Sequence, residues 1–197
     1  PLTLITVLAR TLENSQGFAA HAHQIISCIL IAQTLVAIIF PLTRRFRSTD
    51  LSRQESRRQF NGTLLRCSQV IVVAVYVIAA VSKIDRSKGE WIAKSHYFGL
   101  DLVKTERQHF YTNLDDAQFS ATELPTGSRE MLDNPNLTRL IMGAGLFLEF
   151  FCFVALFQRW LAAALGIMLI AFHTMVKHWM DLYFPLNEKA ILIFLVN

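Results

Sequence analysis

A lysine, Lys83, ends one of the most apolar segments of the chain, in the stretch YVIAAVSKIDRSKGEW at residues 76–91. It follows Tyr76, Ala79 and Ala80 at the i, i+3, i+4, i+7 spacing of one helix face, and the alanines let another backbone come close. This spacing predicts that Lys83 faces protein rather than lipid. A buried lysine can lose its proton and act as a general base near neutral pH. The alternative is a membrane-interface anchor whose amine reaches up to water.

Two further ionisable residues, Glu149 and His173, stand inside the apolar runs GLFLEFFCF and LIAFHTMVK. On insertion scales such a group costs about 2.5 to 3.5 kcal/mol in hydrocarbon, so each needs a partner. Glu149 lies ten residues from both Arg139 and Arg159, which is about 15 Å along a helix. His173 lies at a similar depth on the next predicted helix. We predict a buried Glu149–His173 pair, either as a hydrogen bond that locks the bundle or as a proton relay facing a substrate.

The composition indicates an apolar environment. Of the 197 residues 53% are hydrophobic and only 17% are charged, and the mean hydropathy is +0.36. These values are too apolar for a soluble domain and predict an integral membrane protein in a lipid bilayer. The net charge of +4 is concentrated in one short loop, so no nucleic-acid partner is expected. Cys28, Cys67 and Cys152 lie in apolar runs without C-x-x-C spacing, which predicts neither a disulfide framework nor a metal site.

Apolar stretches set the expected architecture, because a spanning helix needs about 20 mostly apolar residues. Four stretches qualify or nearly qualify: residues 22–42, 63–84, 140–158 and 161–180. A fifth apolar stretch begins near residue 187. We therefore predict an all-α fold, a polytopic transmembrane helix bundle of four full spans plus a truncated fifth. Residues 1–197 are expected to form a single transmembrane domain that is an ordered fragment of a longer chain.

Charge fixes the expected orientation of these spans. The loop at 43–61 carries arginines at positions 44, 45, 47, 53, 57 and 58 against only Asp50 and Glu55, so the positive-inside rule predicts that it is cytoplasmic. Alternation of the spans then makes residues 85–139 a long extracytoplasmic loop. In this topology Lys83, at the end of the second span, and His23, at the start of the first, both lie near the outer interface.

The residues around Lys83 also carry a family resemblance. The pattern Y-x-I-A-A/G-V-x-K-[LI]-D followed by a tryptophan resembles the vitamin K-dependent gamma-carboxylase and the wider bacterial set of horizontally transferred transmembrane (HTTM) proteins. The matching positions are Tyr76, Ile78, Ala79, Ala80, Val81, Lys83, Ile84, Asp85 and Trp91. The resemblance implies that Lys83 is a base that deprotonates a reduced quinone and that His23 supports it. Ser82 stands where the carboxylase has a second lysine, and the β-rich domain that binds a protein substrate in the carboxylase is not expected within these 197 residues.

Two functions from different classes follow. The first is a membrane enzyme of the gamma-carboxylase-like class, a lyase or oxidoreductase, acting on a quinone or another lipid-soluble substrate with Lys83 as the base. The second is a non-catalytic structural or accessory subunit of a larger membrane complex, in which the polar residues hold the bundle together and other membrane-protein subunits are the partners.

Overall fold

The structure is a computed structural model that describes residues 21–46, 52–100, 102–104, 126–180 and 184–197, with the backbone alone described at 21–24, 44–46 and 126. Within these residues all regular secondary structure is helical, which confirms the predicted all-α class. The elements in chain order are α1 (His21–Phe46), α2 (Arg53–Arg86), α3 (Trp91–Lys94), a 3₁₀ turn (Ser95–Tyr97), α4 (Thr126–Asp133), α5 (Pro135–Phe150), a 3₁₀ segment (Phe151–Leu156), α6 (Arg159–Met180), α7 (Pro185–Ile191) and a π-helical segment (Leu192–Val196).

Four helical stretches are long and apolar enough to cross a membrane, and they correspond to the four predicted spans. They are Ile25–Thr43 within α1, Arg53–Arg86, Pro135–Leu156 and Arg159–Met180. Only 17 to 33% of the most apolar window of each stretch is buried inside the protein. Most of this apolar surface is therefore left for another apolar medium, which is compatible with an integral membrane protein in a lipid bilayer. The fifth span and the sidedness of the loops stay predictions.

The start of α2 shows how helical structure extends beyond the apolar pattern. The helix begins at Arg53, inside the segment 43–61 that is predicted to be a cytoplasmic loop. Ser52 and Glu55 form a capping box: the Ser52 N–H and hydroxyl donate to Glu55 Oε2 at 3.0 and 2.7 Å, and the Glu55 N–H donates to Ser52 Oγ at 3.3 Å. These bonds satisfy backbone groups that have no partner inside the helix. Capping, which does not depend on hydropathy, therefore sets this end of the helix.

The described residues divide into two compact units. The first contains residues up to Val77 together with Cys152–Ile170 and Phe184–Asn197. Within it, Gln33 Nε2 donates a hydrogen bond to Ser68 Oγ at 3.0 Å, and Gln69 Nε2 donates to the Phe194 carbonyl at 2.8 Å. Amides inside apolar helices are thus paired with neighbouring elements, and these bonds link α2 to α1 and to the π-helical segment.

The second unit contains the described residues of Ile78–Phe151 and Ala171–Tyr183. Its α5 begins at Pro135, whose missing N–H is harmless in a first helical turn. Helix α5 packs closely on α6 at Gly145, where a Cβ atom would lie 2.0 Å from Phe172 Cζ. Only a residue without a side chain allows this approach. The unit includes Lys83, Glu149 and His173, so the candidate site can be described within it.

Candidate functional site

The second unit brings Lys83 and Glu149 into direct contact. Lys83 Nζ lies 2.5 Å from Glu149 Oε2 and donates a hydrogen bond to it within an ion pair. The side chain of Glu149 is 9% exposed and that of Lys83 is 31% exposed, so the carboxylate is the more deeply buried partner. In apolar surroundings each group supplies the opposite charge that the other needs. The pair joins the last turn of α2 to the last turn of α5.

The α2 face that leads to Lys83 is packed against protein for part of its length. Tyr76 and Ala80 are buried, and Ala79 is half-buried. These residues place the stem of Lys83 at the edge of the packed face, where the amine can reach α5. The position of Lys83 is intermediate between a side chain buried in protein and a membrane-interface anchor that reaches up to water, because the amine contacts protein while part of the side chain stays exposed.

A tight turn after α2 reverses the chain above Lys83. The Gly89 N–H donates to the Ile84 carbonyl at 2.8 Å and the Lys88 N–H donates to the Asp85 carbonyl at 3.0 Å, which is the hydrogen-bond pattern of a Schellman motif. Lys88 and Gly89 both have positive φ angles, of 53° and 82°. Glycine adopts such angles without a steric penalty, but lysine does not. The motif ends α2 and directs the chain back towards Lys83.

The reversal places Trp91 over the amine. The centre of the Trp91 ring is 5.1 Å from Lys83 Nζ, within the range of a cation–π contact. Phe98 packs on Trp91, with its ring centre 5.6 Å from that of Trp91. The Lys83 ammonium is therefore contacted by a carboxylate on one side and by an aromatic ring on another.

Arg139 holds the short helix that carries Trp91. Its Nε atom donates a hydrogen bond to the Ala93 carbonyl at 3.0 Å, and one of its terminal nitrogens donates to Asn136 Oδ1 at 3.4 Å. Ala93 is in α3, two residues after Trp91, whereas Arg139 is in α5. Arg139 therefore positions Trp91 by fixing α3 to α5.

We expect Arg139→Met to loosen α3 without unfolding the spans. Loss of a hydrogen bond from a charged donor at an exposed position costs about 1 kcal/mol, which makes amide exchange of the segment roughly fivefold faster. Hydrogen–deuterium exchange of residues 90–98, followed by mass spectrometry, measures this. Arg129→Met is the matched control, since Arg129 is an exposed arginine on α4. Equal exchange of this segment in wild type and Arg139→Met would show that Arg139 does not position α3.

His173 lies in the same unit as the ion pair. It is buried on α6, next to Phe172. The hydrogen bond between Glu149 and His173 stays a prediction, and the contact that the structure assigns to Glu149 is with Lys83. The backbone of His23 belongs to α1, but its side chain lies outside the described residues, so its supporting role also stays a prediction.

Two contributors to the site were not recognised as such in the sequence. Trp91 is a position of the family pattern with no predicted role, and Arg139 serves only to estimate how deep Glu149 lies in its predicted span. The contact of Trp91 with Lys83 depends on the left-handed turn at Lys88, which no sequence signal predicts because lysine is unusual there. The contact of Arg139 with Ala93 joins residues 46 positions apart, so a local pattern cannot reveal it.

Over the described part of the chain, these features define an all-helical protein with four candidate spanning helices and an ion pair contacted by a tryptophan at the end of one of them. Among the residues that the structure describes, no group of three histidine, cysteine, aspartate or glutamate side chains could hold a metal ion. Comparison with protein-family models, with curated proteins and with solved structures finds no match to this chain.

Proposed function

We propose that this is a membrane enzyme whose Lys83–Glu149 pair removes a proton from a lipid-soluble substrate. The observation that carries the proposal is the 2.5 Å contact between the Lys83 amine and a buried carboxylate. Ionisable residues in membrane-spanning helices are expensive, and they commonly mark sites of proton transfer or substrate binding. Here the lysine remains partly exposed, so a substrate that enters from the lipid can reach it.

The pair can move a proton without creating an isolated charge. A substrate hydroxyl gives its proton to Lys83 as Lys83 passes one of its own protons to Glu149. The substrate O–H bond breaks, the carboxylate becomes a carboxylic acid, and the ammonium stays positive beside the new substrate anion. The negative charge of the ion pair is thereby transferred to the substrate oxygen, where Lys83 stabilises it. Trp91 supplies an apolar surface that limits the access of water to the amine.

A reduced quinone is the substrate that we propose, on the resemblance of the Lys83 segment to the gamma-carboxylase and HTTM proteins. A quinol is lipid-soluble and carries the weakly acidic hydroxyl that this chemistry requires. His23 would support Lys83 if the resemblance extends to α1. The carboxylation of a protein substrate is not part of the proposal, because Ser82 stands where the carboxylase has a second lysine.

Lys83→Arg separates catalysis from a structural role. Arginine keeps the positive charge and can remain paired with Glu149, but it does not release its proton. We expect turnover of a reduced quinone by the purified protein to fall at least about 100-fold in this variant, while its thermal stability changes little. Wild-type protein that does not turn over the quinol above a protein-free control would refute the enzyme, and unchanged turnover in Lys83→Arg would remove Lys83 from its mechanism.

The ion pair also favours a second candidate, a non-catalytic subunit of a membrane complex. In this role the pair simply fixes α2 to α5, as buried ion pairs do when both partners are present. Stoichiometric co-purification with other subunits from native membranes, together with full assembly of Lys83→Arg, would support the subunit over the enzyme.

A further inference from the structure

One face of α2 carries two arginines on either side of a glycine. Arg58, Gly62, Arg66 and Val70 are spaced four residues apart, so they follow one face of the helix. Both arginines are exposed, and Val70 is 42% exposed. A Cβ atom placed on Gly62 would meet nothing within 4 Å. The face is therefore open along its whole length, with the greatest space beside Gly62.

Arg66 lies within an apolar segment, yet it does not face protein. It belongs to the predicted span at 63–84, and its neighbour Leu65 is 45% exposed. A guanidinium in contact with hydrocarbon is costly unless it reaches the polar boundary of the membrane. Side chains on a helix lean towards its N-terminus, so we expect that of Arg66 to extend in the direction of Gly62 and Arg58. We therefore expect its charge to lie near the polar boundary of the membrane.

The charges of this face have no counter-charge among the described residues. Among the residues described, neither Arg58 nor Arg66 takes part in an ion pair or a hydrogen bond of its side chain. Glu55, the carboxylate that precedes them on α2, already accepts two hydrogen bonds from Ser52. Both guanidinium groups are therefore available to an anion from outside the chain.

We propose that Arg58, Gly62 and Arg66 form a binding site for the headgroup of an anionic phospholipid. The Cα atoms of the two arginines are about 12 Å apart along the helix, and both long side chains can reach a phosphate in the space beside Gly62. Guanidinium groups bind phosphate oxygens in pairs of parallel hydrogen bonds. Leu65 and Val70, which are exposed next to the arginines, provide an apolar surface for an acyl chain. This apolar surface assigns the site to a lipid rather than to free phosphate.

The test is a lipid titration of the purified, delipidated full chain in a neutral detergent. Phosphatidylglycerol and phosphatidylcholine are added separately, and bound lipids are counted by native mass spectrometry. We expect wild type to prefer phosphatidylglycerol. The Arg58→Gln/Arg66→Gln variant should bind it roughly 30-fold more weakly, given the usual contribution of each arginine near an anionic surface. Gly62→Leu should also weaken binding, because it fills the space beside Gly62 while both charges remain.

Arg129→Gln is the control, because it removes an exposed arginine from α4 and should leave lipid binding unchanged. All four positions are exposed, so the variants are expected to keep the thermal stability of the wild type, which is measured in the absence of lipid. Unchanged affinity for phosphatidylglycerol in the double variant would overturn the proposal. Displacement of the lipid by inorganic phosphate at matched concentration would reassign the site to free phosphate, and full binding by Gly62→Leu would move it away from this face.

Discussion

Lys83→Met is expected to destabilise the protein by about 3 to 5 kcal/mol, the usual cost of leaving a buried charge without its partner. The variant leaves Glu149, whose side chain is 9% exposed, in apolar surroundings without the amine. Its carboxyl group must then either stay charged at that place or bind a proton, and both cost free energy. The free energy of unfolding in mixed micelles measures the loss.

The opposite truncation should cost less, because the two partners are buried to different extents. Glu149→Gln leaves an ammonium on Lys83, whose side chain is 31% exposed and can turn towards a polar boundary. We expect a loss of about 1 to 2 kcal/mol. Replacing both groups in Lys83→Met/Glu149→Leu should recover most of the stability, since an apolar pair of similar volume often matches a buried ion pair.

The double variant also separates stability from activity. If Lys83 and Glu149 act on a substrate, Lys83→Met/Glu149→Leu is folded and inactive. Equal losses in the two single variants, or a double variant whose loss is their sum, would contradict the description of this contact as a buried ion pair.

Gly145→Ala is expected to destabilise the protein by about 3 kcal/mol, at the upper end of the usual range for overpacking a core. The new methyl group would lie 2.0 Å from Phe172 Cζ. The ring must therefore move by about 1.5 Å to reach an ordinary carbon–carbon contact. Because Phe172 precedes His173 on α6 and Gly145 is one turn before Glu149 on α5, this movement also disturbs the neighbourhood of the ion pair. Unfolding in mixed micelles is again the measurement.

Gly143→Ala is the matched control for this variant. The same substitution two residues earlier in α5 gains the same helix propensity, but its methyl group meets Ile92 at 3.6 Å, an ordinary contact. We expect Gly143→Ala to be neutral or to stabilise by up to about 1 kcal/mol. Phe172→Leu should restore stability to Gly145→Ala by removing the atoms in conflict. Similar effects of the two alanine variants would show that α5 and α6 do not approach closely at Gly145.

The sequence predicts the helices of this protein better than it predicts their contacts. Apolar runs of sufficient length indicated four spans, and four helices of matching position are present, because length and hydropathy are properties of each segment by itself. The start of α2 at Arg53 was not predicted, because the Ser52–Glu55 capping box lies about ten residues before the apolar run at 63–84 begins. Hydropathy marks the part of a helix that suits lipid, and capping decides where the helix begins.

Residue spacing along one helix does not predict which side chains of other helices it contacts, as the candidate site shows. The expected contact of Glu149 with His173, on the next span, stays a prediction, and the structure adds a pairing of Glu149 with Lys83, 66 residues away, that spacing along the chain did not indicate. Which of several helices lies beside α5, and at what height, depends on close approaches such as that of Gly145 to Phe172. The sequence identified both members of the ion pair as costly groups that need partners. Their pairing required the packing of the helices.

The left-handed lysine after α2 has a consequence for the motion of this region. A residue with a Cβ atom loses about 1 kcal/mol in that conformation, and the loss is recovered whenever the turn relaxes. The connection at Lys88 therefore melts locally at a smaller free-energy cost than the helices on either side of it. We expect local opening of this connection to move the indole of Trp91 relative to the Lys83 amine while the spanning helices stay intact.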